Sequence, residues 1–476
     1  MLNLQNIRGF FYLSMDIINK NHRSQIKIYF FQTVTVSNIR IKIEISFKSI
    51  LVNKQIMSVD IETKYELNEK QKEVLEEVAY NRKNIFLTGV GGVGKSFIIK
   101  HIYKYMNKVH NVGLTSLTGI SATIIGGVTL HSYLGIGLGS ASFEKLCKKI
   151  TFSKHLLNRW KRLDLLIIDE ISMLSVELFE KLEKIARYIR KNEAPFGGVQ
   201  LLLCGDFLQL PVVLSNKFCF ESPIWNKCIN KTIVLTEVVR QKDSIFVAVL
   251  NKIRKGEIDE ECKKIIGARE IKYFPGSSGL IPTMLYATNA KVDATNDRYY
   301  SALSGKEHVY EIEYEWKKNT YNKEHYENMV KFLHEVRLKV GAQVMHLIND
   351  ASGELVNGSR GVVKDFVEGY PIVLFTNGVE RIIAPHCLDI EEGDDVVMSY
   401  SQLPLKLAWA MSYHKAQGST LSLVRVDLKN IFEYGQFYVA LSRCASLEGL
   451  YIRNLNWLKV KTHPRALEFY KSLEEN

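Results

Sequence analysis

Apolar residues in this chain fall into short unbroken runs that end in glycine or a carboxylate. Ile85-Phe86-Leu87-Thr88 leads into Gly89, Leu165-Leu166-Ile167-Ile168 into Asp169-Glu170, and Leu201-Leu202-Leu203-Cys204 into Gly205-Asp206. A run without polar alternation predicts a strand buried on both faces, the condition of a parallel sheet between helices. Helical periodicity fills the gaps. Asn68 followed three residues later by Gln71 reads as an N-cap with a capping box, and Val74, Leu75 and Val78 make the buried face behind it. A second helix is predicted over 97–106. A second α/β unit begins near 236, with a strand at Thr283 to Asn289, a helix from Val292 to Arg298 and a strand-like stretch from Val340 to Leu347.

Other stretches have a different texture. Between 353 and 401, short alternations are punctuated by Asn357-Gly358, Glu368-Gly369, Asn377-Gly378 and Glu392-Gly393, which predict a small antiparallel barrel. The Tyr310 to Tyr326 stretch, rich in Glu, Lys and Tyr, reads as an exposed insertion. Leu405 to Val424 reads as a buried helix ending in a polar cluster, and Gly435 to Arg443 as an amphipathic helix. The first 60 residues stand apart as a basic extension. Thr33 to Val36 and Ile39 to Ile45 alternate like strands, yet the basic, acid-poor composition also suits an organellar targeting segment or a poorly ordered extension.

At 476 residues the chain has room for two to four domains. No apolar run approaches membrane-spanning length, so no transmembrane helix is expected. Seven cysteines without CxxC pairs or His clusters fit free thiols in a reducing compartment, hence an intracellular protein. The net charge of +12 favours a polyanionic partner without identifying one.

The chemistry centres on Gly89-Val90-Gly91-Gly92-Val93-Gly94-Lys95-Ser96, a GxxxxGK[ST] loop between a predicted strand and a predicted helix. Backbone N–H groups must wrap phosphate oxygens, so Gly89, Gly91, Gly92 and Gly94 stand where side chains would block them, with Val93 among them. Lys95 reaches the outer phosphates, and the Ser96 hydroxyl suits Mg²⁺. A nucleoside triphosphate with Mg²⁺ is the expected ligand. Asp169 is expected to coordinate the metal and Glu170 to polarise the attacking water. Gln209 can sense the γ phosphate or orient the water.

Further candidates carry two readings each. Gln71 binds an adenine edge or simply caps its helix. Arg240 reaches across a cleft to the γ phosphate or sits on the surface at a domain junction, and Arg443 is a second such arginine or an ordinary helix terminator. Thr118 and Gly119, after a short strand, suit a phosphate backbone, and His131 is a polar contact or a satisfied semi-buried histidine. His414, Lys415 and Gln417 form a cluster able to touch both nucleic-acid phosphate and the nucleotide cleft. Phe207 reads as packing. The basic and aromatic stretch from 137 to 160 is a candidate for meeting a duplex.

In order, LNEKQ, GVGGVGKS, LTGISA, IIDEISML, GDFLQLPVV, EVVRQ, LVNGSRGVV, LAWAMSYHKAQGSTL and GQFYVALSR resemble the Pif1-like DNA helicases, in the Pif1/RecD branch of helicase superfamily 1. The likeness runs from Leu67 to Ile452. It implies an α/β fold of two RecA-like P-loop domains, with a small insertion in the first and an SH3-like β-barrel insertion in the second. On this chain the first domain is expected over 61–235 with its insertion near 137–160, and the second over 236–352 and 402–476 around a barrel at 353–401. Residues 1–60 have no counterpart. The resemblance also implies ATP-driven movement along single-stranded DNA and 5′ to 3′ unwinding of duplex junctions, with ATP and Mg²⁺ as cofactors, by a motor expected to be monomeric. Gln71 would contact adenine, Arg240 and Arg443 would complete a charge clamp, and His414, Lys415 and Gln417 would couple DNA to hydrolysis. Tyr413 and Ala416 depart from the family's usual residues around His414-Lys415 but leave His, Lys and Gln in place. A translocase that does not separate strands, and a nucleotide-switched binding module, are the alternatives. RNA stays open as a substrate, because phosphate gripping does not identify the sugar. The cellular duty is open among replication, recombination, repair, telomere upkeep and viral replication, and with it the compartment: nucleus, mitochondrion or a virus's host cell.

Overall fold

The computed structural model describes residues 11–20, 23–36, 39–45 and 67–474, except 213–216, 238–242, 272–280, 318–322, 328–329, 331, 349, 351–353, 356, 393–394, 418 and 420. The chain divides into two units, 1–66 and 67–476. In the first, strands Phe11–Lys20, Arg23–Val36 and Ile39–Ile45 pair as an antiparallel meander. Both stretches of alternation seen in the sequence fall within these strands.

The second unit holds two parallel sheets. The first has six strands, ordered Val128–Thr129, Val112–Ser116, Leu165–Asp169, Gln200–Gly205, Ile85–Gly89 and Lys231–Leu235. Alternate residues explain its unbroken apolar runs. Ile85, Leu87, Leu165, Ile167, Leu202 and Cys204 enter one core with the helices Glu69–Ala79 and Lys95–Met106. Phe86, Leu166, Ile168, Leu201 and Leu203 enter a second core with the helices Phe143–Phe152, Lys154–Arg162 and Val176–Arg190. No face is left for water, so no polar alternation is needed. The helix Pro464–Glu474, last in sequence, closes this second core with Ala466 and Tyr470.

The second parallel sheet is ordered Ala410–Ser412, Thr283–Tyr286, Val424–Asp427 and Leu450–Arg453. The helix Ser244–Lys255 packs into its core through Phe246, Val249, Leu250 and Ile253. These two sheets with their helices are called the first and second lobes below.

Three readings are corrected here. The stretch 405–424 is not a helix: Leu405–Leu407 and Ala410–Ser412 are strands, followed by a single helical turn, Tyr413–Ala416. Short apolar runs suit a buried strand or helix equally, and here parallel pairing of Met284 with Ala410 decides. The helix Gln436–Leu441 is not amphipathic, because all six of its residues are buried between the lobes' elements. The Tyr310 to Tyr326 stretch is not a plain exposed insertion. Glu313–Trp316 pairs with Asp395–Gln402, with Tyr314 opposite Tyr400. Its outward glutamates hid a two-residue alternation.

Antiparallel pairing extends from His308 to Leu407. A five-stranded sheet runs Glu380–Ile382, Tyr370–Phe375, Arg360–Val367, Gln343–His346 and Leu405–Leu407, beside smaller sheets of three and two strands. Among the described residues, no helix is long and apolar enough to cross a membrane. None of the seven cysteines forms a disulfide, and all but Cys387 are buried.

Candidate nucleotide and polynucleotide site

The carboxyl ends of the first sheet's strands bring together Gly89, Asp169 and Gly205, where α/β proteins place their ligands. Gly89 has φ +146°, and a Cβ on it would lie 2.3 Å from the Leu235 carbonyl oxygen. Only glycine fits. Gly92 and Gly94 also take positive φ, and Gly94 opens the helix Lys95–Met106 without any side-chain cap. The free N–H groups of that first turn suit phosphate oxygens. Lys95 Nζ donates to the carbonyls of Gly89 (2.7 Å) and Val90 (3.0 Å), curling over the loop. Ser96 and Val93 stand in the same turn, Val93 packed inward.

Gln71 is a capping residue whose side chain also borders the P-loop. Its Oε1 accepts from the Asn68 amide while Asn68 Oδ1 accepts from the Gln71 amide, a complete capping box. Its Nε2 faces the P-loop, 2.8 Å from where a Gly94 Cβ would be.

Asp169 is buried and accepts from the Glu170 amide at 2.9 Å. Burial, and then the neighbouring Glu170 carboxylate, push its carboxyl up to about 7, against the pull of that bond and of Lys95. A divalent cation would relieve this crowding of negative charge, so the pair fits Mg²⁺. Among the described residues no group of three or more His, Cys, Asp or Glu gathers as a closed metal cage. Glu170 has φ +58°, unusual for a residue with a side chain. Its Oε2 accepts from Gln417 Nε2 of the second lobe at 2.8 Å, while Gln417 Oε1 is buried without a partner.

Gln209 is buried, its Nε2 donating to Asp206 Oδ2 at 3.3 Å. From the second lobe, Tyr438 and Arg443 reach the P-loop. Gly91 N donates to the Tyr438 hydroxyl at 2.9 Å, and a Cβ on Gly91 would lie 3.8 Å from Arg443 Nη2. Arg443 is 2% exposed, its Nε donating to the Val439 carbonyl and Nη2 to Ser442 Oγ.

Thus Gln71, Lys95, Ser96, Asp169, Glu170, Gln209, Gln417 and Arg443 gather at one cleft. Arg240 lies outside the described residues. Thr118 is the N-cap of the helix Gly119–Ile125, accepting from Ser121, with open space over Gly119. His131 is half-buried, and burial lowers its pKa. His414 lies in the turn Tyr413–Ala416, its side chain outside the described residues; Lys415 is exposed on the same turn. Phe207 is pure packing, ringed by Phe86, Phe218, Phe220, Trp225 and Phe469. In the 137–160 stretch Trp160 is buried while Phe152 is 79% exposed.

Sequence reasoning missed Tyr438, Asp206, Arg254 and Tyr470. Asp206 carried a signal, standing directly after a strand and a glycine. The others bear on the cleft only through contacts distant in sequence.

Residues 66–264 match the family model described as PIF1-like helicase, and residues 327–366 match that of the DNA helicase Pif1 2B domain. The chain is 40% identical over 420 residues to the ATP-dependent DNA helicase PIF1 of Xenopus laevis, across 86% of this chain and 65% of that protein. It thus spans just under two thirds of that relative's length. The crystal structure of Pif1 helicase from Candida albicans is similar at 39% identity and TM-score 0.73, over 86% of this chain and 100% of that one. Bacteroides Pif1 in complex with ADP-AlF4 is similar at 26% identity and TM-score 0.75, over 86% and 98%. With the P-loop, the paired carboxylates and the opposing arginine in place, the chain belongs to the PIF1-like helicase family.

Proposed function

We propose that this chain is an ATP-driven DNA helicase that moves 5′ to 3′ on single-stranded DNA and separates duplex DNA. Its two lobes act as RecA-like domains, 61–235 and 236–352 with 402–476, carrying insertions near 137–160 and 353–401, the latter SH3-like. The single observation that carries this reading is the reach of Tyr438, Arg443 and Gln417 from the second lobe onto Gly91 and Glu170 of the first. The naming of the Xenopus relative as an ATP-dependent DNA helicase supports it, as does the ADP-AlF4 held by the Bacteroides protein.

The P-loop amides and Lys95 bind the triphosphate, and Gln71 offers its amide to the adenine edge. Ser96 and Asp169 would hold Mg²⁺, which supplies charge neutralisation at the phosphates. Glu170 takes the proton of the attacking water, and Gln209 orients that water or senses the γ phosphate. Arg443, with Arg240 as its proposed companion, stabilises the transferring phosphoryl charge. Closure brings Gln417 onto Glu170, so that a polynucleotide held by His414, Lys415, Thr118, Gly119 and His131 is felt at the water. Phosphate contacts make binding sequence-independent and salt-sensitive. The motor acts as a monomer, inside the cell.

An unwinding assay with 5′-tailed and 3′-tailed DNA, and an RNA duplex alongside, tests the reading. Separation of the 5′-tailed DNA alone is expected, and Lys95→Ala should abolish ATP turnover and unwinding. ATPase stimulation by single strands without strand separation would favour a translocase. Turnover indifferent to every polynucleotide would overturn the motor reading.

A further inference from the structure

Behind the cleft lies a solvent-shielded polar cluster that the scheme above does not use. Asp206, Arg254 and Tyr470 are all buried and come from three distant elements. Asp206 follows the strand Gln200–Gly205 of the first lobe. Arg254 is on the helix Ser244–Lys255, rooted in the second lobe's core, and Tyr470 is on the last helix, Pro464–Glu474.

The Arg254 guanidinium forks onto both Asp206 oxygens, Nε to Oδ2 at 2.8 Å and Nη2 to Oδ1 at 2.7 Å. It also stacks on the Tyr470 ring, 4.9 Å from its centroid. Burial, which acts to raise the Asp206 pKa, is outweighed by Arg254, so the carboxylate stays charged. The Tyr470 hydroxyl accepts from the Phe207 amide at 3.2 Å and lies 2.5 Å from Thr88 Oγ1.

These bonds converge on one short loop. Phe207 N is held by Tyr470, Leu208 N by Asp206 Oδ1 at 3.1 Å, and the Gln209 side chain by Asp206 Oδ2. Thr88, on the other side of Tyr470, immediately precedes Gly89 of the P-loop. A buried ion pair is an expensive way to hold helices together, since apolar residues of similar volume do it as well or better. What it supplies is direction: a bidentate fork fixes a carboxylate, and a fixed carboxylate fixes the amide bonded to it.

We propose that Arg254 and Tyr470 are positioning residues for ATP hydrolysis, Arg254 acting through Asp206 and the Tyr470 hydroxyl through the Phe207 amide to hold Gln209 in register with the P-loop. The last helix of the chain, remote from both nucleotide loops in sequence, thereby sets the turnover rate. The proposal rests on the reading of the cleft as an ATPase site.

The test measures kcat and KM for ATP at saturating single-stranded DNA, with melting temperature, for Tyr470→Phe, Gln209→Ala and their double variant. Tyr470→Phe keeps the ring and its cation stacking and removes only the hydroxyl. It should lower kcat about tenfold and shift KM by no more than about twofold. The double variant should be no slower than Gln209→Ala alone, because the hydroxyl acts through that glutamine. Arg254→Lys, which keeps the charge and loses the fork, should repeat the pattern. An unchanged kcat in folded Tyr470→Phe, or a double variant as slow as the product of the two single effects, would overturn the proposal. Failure of both Tyr470→Phe and Arg254→Lys to fold would also overturn it, since the cluster would then serve stability alone. A wild-type chain without ATP turnover would instead sink the ATPase reading itself.

Discussion

Gln417 Nε2 donates to Glu170 Oε2 at 2.8 Å, joining two residues 247 apart in sequence and on opposite lobes. The bond holds the carboxylate proposed to polarise the attacking water, and it comes from the residue directly after the turn that carries Lys415. Gln417→Ala should lower DNA-stimulated turnover about tenfold. Glu170→Gln should retain nucleotide binding and lose roughly 10²–10⁴-fold in hydrolysis, the span of a general base. Turnover at saturating single-stranded DNA, with nucleotide affinity measured by fluorescence, checks both.

Arg443 is buried with its guanidinium beside Gly91 of the P-loop. Arg443→Ala should cut hydrolysis by about 10³-fold or more, the scale of an arginine finger, while DNA affinity stays near that of the parent. Anisotropy with labelled single-stranded DNA and a coupled ATPase assay separate the two effects. An unchanged ATPase rate would remove the finger role.

Gly435 opens the helix that carries Tyr438 and sits at φ +68°, where a Cβ would lie 2.4 Å from the Gln209 carbonyl oxygen. The second lobe can approach the Gln209 loop only because nothing projects there. Gly435→Ala combines backbone strain of about 1–3 kcal/mol with a collision against backbone. It should lower turnover, whereas Gly378→Ala, also at positive φ but with open space around its Cβ, should not. Parallel ATPase measurements on the two variants decide.

Lys406 lies on the strand Leu405–Leu407, and burial, then the charge of Lys415, push its ammonium down to about 8 from 10.5. Between these values the unfolded chain binds the extra proton, so this group's cost to stability is full below pH 8 and fades as pH rises. Lys406→Met should therefore raise the melting temperature at pH 7, and the gain should shrink by pH 9.5. Scanning calorimetry at the two values tests the sign.

Much of the cleft was legible because its parts are local. Asn68 and Gln71 cap one helix within three residues, and the P-loop closes within eight. The first sheet's strands announced themselves because burial on both faces leaves no alternation, and their carboxyl ends named Asp169 and Glu170. Where one-dimensional pattern is degenerate, the reading failed: Leu405 to Ser412 is apolar enough for a helix or a strand, and only pairing, of Leu405–Leu407 with Gln343–His346 and of Ala410–Ser412 with Thr283–Tyr286, selects strands. Glu313 and Glu315 masked the half-buried Tyr314 and Trp316. Tyr438 meets Gly91 across 347 residues, and Tyr470 meets Phe207 across 263. No local signal encodes such contacts.

The last helix stacks Phe469 on Phe220, ring centroids 4.2 Å apart, and covers Phe86, Phe207 and Trp225. During synthesis this aromatic nest waits, uncovered, for the more than two hundred residues between Leu235 and Pro464. At about 5–20 residues per second, that delay is tens of seconds. The amino-terminal lobe therefore cannot mature vectorially as it leaves the ribosome. It remains a sticky intermediate until Pro464–Glu474 arrives, which ties the ripening of the P-loop half to synthesis of the second lobe.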